Sequence, residues 1–204
     1  MAIYFVIIVV GLFNYKKYSH NLQLRLFLYF LIYSFFTEVA GAYIGRILII
    51  KTHFIYNTWN IINILFYMLF FLSKIKHKNK RRYSIGLLFI FIISTLINIV
   101  FLKNYINQGL INNSILGSIF ILFVIMIYYS ELLNSDEILN IKKSLFFWIS
   151  IGVLLFNIGI IPVYVIAEFI SYRGVFKLII FGLNILMSLS FIIGFLLSEK
   201  RYNY

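Results

Sequence analysis

The chain has 204 residues, of which 63% are hydrophobic and 12% charged, and its mean hydropathy is +0.98. Soluble domains run at about 45–50% apolar residues, and so few charges cannot cover the excess, which excludes a soluble globular protein. The absence of cysteine excludes disulfides, thiol nucleophiles and thiolate metal sites.

The apolar excess recurs as separate runs. A membrane span needs about 20 mostly apolar residues, and seven stretches meet or approach that length: 2–15, 24–44, 54–73, 83–103, 113–130, 144–168 and 175–197. They predict an all-α polytopic transmembrane bundle of seven spans in a single domain, 1–204. The first run, MAIYFVIIVVGLF, lacks a basic leader and a small-residue cleavage site, so it reads as a retained span rather than a secretory signal. It is short and ends at Lys16-Lys17, which keeps a six-span reading open.

In the second run Glu38 stands within YSFFTEVAGAY. A charge at the bilayer centre costs about 2.5–3.5 kcal/mol on insertion scales, so an acid there needs a hydrogen-bonded pocket, a raised pKa or a functional reason. The third run opens with YNTWNIIN, whose Asn57, Asn60 and Asn63 recur every three residues and share one broad helix face. Between the third and fourth runs, Lys74, Lys76, Lys78, Lys80, Arg81 and Arg82 put six cations into nine residues. The segment is short and lacks the aromatic or glycine interleaving of a base-stacking surface. It reads as a topology anchor against anionic lipid headgroups, with nucleic acid disfavoured.

The remaining cations follow the same asymmetry. Lys16, Lys17, Arg25, Lys142, Lys143, Lys200 and Arg201 fall on the side of the basic loop, whereas Arg46, Lys51, Lys103, Arg173 and Lys177 fall on the other, 13 against 5. The positive-inside rule places the richer side in the cytoplasm, hence the N-terminus outside and the C-terminus inside, in the inner (plasma) membrane. The connector SELLNSDEILNIKK has Ser135 before two acids and two closing lysines, the pattern of a short capped interfacial helix, with a solvated connector as the alternative. Asn98, Asn157 and Asn184 fall in the same outer half as Glu38, with Glu168 near the outer end of span six and Pro162 as a kink.

Two readings of these buried polar groups stand side by side. They form a chamber open to the outside, with Glu38, Asn57, Asn60, Asn63, Asn157, Asn184 and Glu168 as ligand-binding residues, or they are interhelical hydrogen bonds that hold the bundle. The small-residue pairs Gly41/Gly45, Ser114/Ser118 and Ser190/Gly194 permit close helix approach. The three histidines lie outside the apolar runs, no span carries a central lysine, and no HExxH, GxSxG, P-loop or GxGxxG occurs, so no catalytic residue, metal or cofactor is expected.

FFWISIGVLLFNIG at Phe146–Gly159, the acid of span two and YNTWNIIN together resemble a group of uncharacterised small seven-span membrane proteins of Bacteroidota. In size, basic loops and lack of enzyme motifs the chain is also similar to multi-pass accessory proteins of CRISPR and other antiviral systems. The expected function is a non-enzymatic sensory, ligand-binding or accessory membrane subunit with an outward polar chamber and a cytoplasmic protein partner. An oligomeric pore or membrane effector of antiviral defence, built by self-association, is the alternative.

Overall fold

The computed structural model describes residues 2–46, 51–102, 105–169 and 173–203, with the backbone alone at 2, 102, 136, 137, 167–169 and 173. Among these residues every regular element is helical. The chain forms α1 (Ala2–Phe13), α2 (Leu22–Arg46), α3 (His53–Leu72), α4 (Lys78–Ile97), α5 (Ile111–Leu132), α6 (Leu145–Phe169) and α7 (Arg173–Leu197). A π-helical turn, Asn98–Leu102, extends α4, and short 3₁₀ turns occupy Tyr15–Lys17, Asp136–Lys143 and Lys200–Tyr202.

Six helices, α2 to α7, are long and apolar enough to cross a bilayer. The chain is therefore a multi-pass membrane protein by length and composition. Their ends follow the limits of the apolar runs closely except at α4, which begins at Lys78, ahead of the run expected over 83–103. The first run differs: α1 has 12 residues, or about 18 Å, short of the ~30 Å hydrocarbon core.

Packing divides the chain into two compact units, one of residues 1–33 and 132–204, the other of residues 34–131, so that α2 contributes to both. In the first unit α6 and α7 form a tight antiparallel pair. Glycines set the approach. A Cβ on Gly152 would lie 2.8 Å from Phe191 and 3.0 Å from the Met187 carbonyl, one on Gly159 2.3 Å from Leu183, and one on Gly194 2.6 Å from Trp148. The Ser190/Gly194 pair thus serves packing inside the chain. α1 lies beside α7 and runs parallel to it, with Ile3 and Val6 against Ile185 to Ile192 and Gly11 against Phe195. It covers only the C-terminal half of α7. The buried rings of Tyr18, Phe27, Phe191 and Phe195 meet at 5.1–6.2 Å and fill the space between α2 and α7.

A polar clasp closes the same end of this unit. Lys17 donates to the carbonyls of Phe195 (3.2 Å) and Leu196 (2.7 Å), the last turn of α7, where a cation meets the negative end of the helix dipole. Asn203, fully buried, donates to the Lys17 carbonyl at 3.1 Å and accepts from the Leu145 amide at 2.8 Å. Lys143 and Glu199 pair at 3.0 Å, and the carboxylate raises the lysine pKa. The Tyr18 phenol donates to Gly11 at 2.7 Å, and burial pushes its pKa upward.

The connector after α5 departs from the expected capped helix. Ser135 does occupy the position before the first turn, but its hydroxyl donates back to the Leu132 carbonyl at 2.8 Å instead of capping. Residues 136–143 wind as 3₁₀ with a kink at Asn140 (φ −124°, ψ 25°). No amide of the turn donates to the Ser135 oxygen, so the turn starts uncapped.

Gly152→Val should destabilise the α6–α7 pair by about 1–3 kcal/mol, because the Met187 backbone cannot yield to a new Cβ. Gly182→Ala, where a Cβ meets nothing, should raise stability by up to about 1 kcal/mol through helix propensity. Thermal unfolding of the two variants in lipid nanodiscs checks the pair, and equal effects would contradict the packing.

Candidate functional site

The second unit alternates its helices up and down. Trp59 Nε1 donates to Ser34 Oγ at 3.1 Å, joining α3 to the antiparallel α2. α3 and α5 run parallel, with Asn60 bonded to Ser114 and Ile64 packed on Gly117. Phe71 faces Tyr128 at 5.7 Å further along. This order sorts the polar groups. Asn57, Asn60, Thr95, Asn98, Asn113 and Ser114 lie toward one end, above an apolar middle that includes the buried Ile64, Tyr67, Phe71, Phe91 and Val124.

The regular spacing of the α3 amides has a specific outcome. Asn57 is buried, and its Nδ2 donates to the carbonyls of Tyr105 (2.9 Å) and Gln108 (2.8 Å) while its Oδ1 accepts from the Leu110 amide (3.1 Å). One side chain therefore satisfies three backbone groups of the turn before α5, which otherwise have no helix to join. Thr58 shares a hydroxyl hydrogen bond with Tyr105, and Asn60 donates to Ser114 Oγ. Asn63 continues the stripe and is half-buried.

Glu38 is half-buried on α2. One turn further on, Gly41 holds the Tyr56 phenol so closely that a Cβ there would lie 2.6 Å from the hydroxyl oxygen. Gly41 thus supplies the space for the Tyr56 phenol at the α2–α3 contact, and Glu38 stands one turn back on the same face of α2.

The other expected ligand residues lie in the first unit. Asn157 is buried and donates to the Val153 carbonyl at 2.7 Å, one turn back in α6. Asn184 does the same to Ile180 at 2.8 Å, while its own carbonyl accepts from Ser188 at 2.6 Å. Both amides are tied to their own helices, the usual local competition of short polar side chains. Glu168 stands in the last turn of α6, and its side chain lies outside the described residues. The seven residues thus divide between the two units, with Glu38, Asn57, Asn60 and Asn63 in one.

At the opposite end of the second unit the basic segment is less of a loop than expected. α4 begins at Lys78, so Lys78, Lys80, Arg81 and Arg82 occupy its first turns, where cations oppose the helix dipole. Glu131, at the end of α5, offsets this. Its carboxylate accepts the backbone amides of Lys76 (3.2 Å) and His77 (2.9 Å), the two residues before the helix. Lys80 donates to the neighbouring Ser130 at 2.8 Å. Sequence reading missed Glu131, because the cation run it meets lies 54–55 residues away along the chain.

Asn57→Leu should strand two carbonyls and one amide, at about 1–3 kcal/mol per buried group left without a partner. The expected result is a lower melting temperature with faster proteolysis and hydrogen exchange in residues 105–110. Unchanged exchange there would show that the turn does not depend on Asn57.

No known family, curated protein or solved structure matches this chain.

Proposed function

We propose that the protein is a non-enzymatic ligand-binding or sensory membrane subunit whose recognition group is Glu38 with Tyr56. The observation that carries this reading is an acid kept half-buried in a membrane helix beside a phenol, over a glycine that leaves room. Asn57 and Asn60 act as the scaffold behind it, because their hydrogen bonds are spent on the turn and start of α5. A carboxylate and a phenol suit a cationic or hydroxyl-rich ligand. Such groups are expensive in lipid and are retained where they act.

In this reading the polar end of the second unit faces the outside. The cation-rich segment of Lys74, Lys76, Lys78, Lys80, Arg81 and Arg82 lies at the cytoplasmic surface of the inner membrane, against anionic headgroups. α1, parallel to α7, points its N-terminal end outward and makes the seventh element. The cytoplasmic face, with the clasp around Asn203, is the side offered to a protein partner.

Two measurements test the proposal. A tag before residue 1 should be reached only from outside and a tag after Tyr204 only from inside; both on one side would replace the seven-span topology with six spans. The native chain has no cysteine, so single-cysteine variants need no background removal. Glu38→Cys should react with a membrane-impermeant maleimide from the outer face, while the buried Ser118→Cys should not. Reaction only from the cytoplasmic face, or none, would overturn the outward site.

A further inference from the structure

The seam between α1 and α7 closes on two stretches far apart in the chain. Lys17 donates to the Leu196 carbonyl at 2.7 Å, which ties the 3₁₀ turn after α1 to the last turn of α7. Asn203, directly after the turn Lys200–Tyr202, donates to the Lys17 carbonyl at 3.1 Å. Lys16 and Arg201 therefore stand beside one tight contact. Lys16, Lys200 and Arg201 are exposed, and among the described residues none of them pairs with an acid. Glu199, which precedes Lys200, is taken by Lys143 at 3.0 Å. Three unpaired cations thus collect at a point that chain order does not reveal.

The same seam carries an apolar groove of about 220 Å³, lined by Ile3 and Val6 of α1 and by Ile185, Ser188, Leu189 and Ile192 of α7. Its one hydroxyl, on Ser188, is spent on the Asn184 carbonyl at 2.6 Å, so the wall is apolar throughout. Phe13 stands seven residues beyond Val6 and Leu196 four beyond Ile192; both are exposed and carry the apolar faces on toward the cations. By helical rise the groove lies about 8–18 Å from Leu197, the end of α7. One leaflet of hydrocarbon is about 15 Å deep, half the core thickness, so the groove lies at the depth of a single acyl chain.

We infer that the α1–α7 seam holds one anionic phospholipid, with its phosphate among Lys16, Lys200 and Arg201 and one acyl chain in the groove. Lysine and arginine are the side chains that recognise phosphate, arginine through two parallel hydrogen bonds. A zwitterionic headgroup brings its own cation, which these three repel, so net negative charge is favoured. A soluble anion satisfies the cations but leaves the groove and the exposed Phe13 without a partner. An acidic protein segment meets the cations from water and does not reach the groove at acyl-chain depth. The site rests on α7 being embedded in lipid. It is independent of the Glu38 reading and of the side of the membrane that this end faces, and each can fail alone.

The test uses the full chain in phosphatidylcholine nanodiscs and two photoactivatable lipids, phosphatidylglycerol and phosphatidylcholine, with the same diazirine-bearing acyl chain. The phosphatidylglycerol probe should label residues 2–13 and 185–197 about tenfold more than the phosphatidylcholine probe. Unlabelled phosphatidylglycerol should compete, and glycerol phosphate should not. Lys16→Gln, Lys200→Gln and Arg201→Gln together should abolish the preference without lowering the melting temperature in phosphatidylcholine, because none of the three is paired with an acid. Leu189→Trp, at a half-exposed wall position, should fill the groove and lower labelling by both probes with the cations intact. Lys78→Gln, Arg81→Gln and Arg82→Gln, in the basic segment at the start of α4, should leave the preference unchanged. Equal labelling by the two probes would reduce the seam to ordinary lipid-facing surface and leave its cations to an acidic protein segment. Competition by glycerol phosphate would make it a site for a free anion. Loss of the preference in the α4 variant would show a general attraction of basic protein for anionic lipid. Unchanged labelling in Leu189→Trp, or a loss of stability in the seam variant, would likewise overturn the bound lipid.

Discussion

The hydrocarbon core of a bilayer offers a polar group no water, so each one that enters must find its partner within the protein. In this chain that requirement accounts for the helices themselves and for the hydrogen bonds of Asn57, Asn157 and Asn184 within them. Asn57 shows it most fully, with three backbone partners in the turn before α5. The turn has no regular hydrogen-bonding pattern of its own. Without Asn57 its amide and carbonyls would have to be carried to water, and α5 would lose its fixed starting point.

The two units meet the same requirement differently. In the unit of residues 1–33 and 132–204, Asn157, Asn184 and Ser188 bond to their own helices, which frees the α6–α7 contact to close on glycine and aromatic rings. Its cross-chain polar contacts gather at the end where Lys17, Leu145 and Asn203 meet. In the unit of residues 34–131 the amides reach across helices instead. Glu131 does at one end what Asn57 does at the other, satisfying backbone amides ahead of a helix with a side chain from a neighbour. Cations collected at the start of α4 would work against the helix dipole; this carboxylate gives them a counterweight at the point where the backbone amides are free.

Much of the fold was legible in the residue order. Span length is set by bilayer thickness, so an unbroken apolar run marks a helix with little ambiguity, and α2 to α7 follow those runs. Charge is a poorer guide to a helix end. α4 starts at Lys78, inside the cation cluster, because a lysine or arginine stem lies along the helix while its head stays in water. The stripe of Asn57, Asn60 and Asn63 was visible as a shared face, but periodicity does not say which neighbour a face meets. The partners at Tyr105, Gln108 and Ser114 come from the hydrogen bonds. Thr95 and Asn113 drew no notice, since a lone threonine or asparagine in a span is common; their contact across α4 and α5 comes from the structure.

The central claim is that these helices are embedded in lipid and that their polar groups are held on the protein side. α4 offers the clearest reading, because Phe91, Thr95 and Asn98 are buried while Phe89, Ile93, Leu96 and Val100 are exposed. Nitroxide labels placed singly along residues 87–100 of the full chain in nanodiscs report collisions with dissolved oxygen, which concentrates in lipid, and with a water-soluble nickel chelate. The account predicts high oxygen and low nickel accessibility at the exposed positions, falling every three to four residues at the buried ones. Nickel accessibility that matches or exceeds oxygen accessibility at Phe89, Ile93 and Leu96 would place α4 in water and contradict the membrane fold.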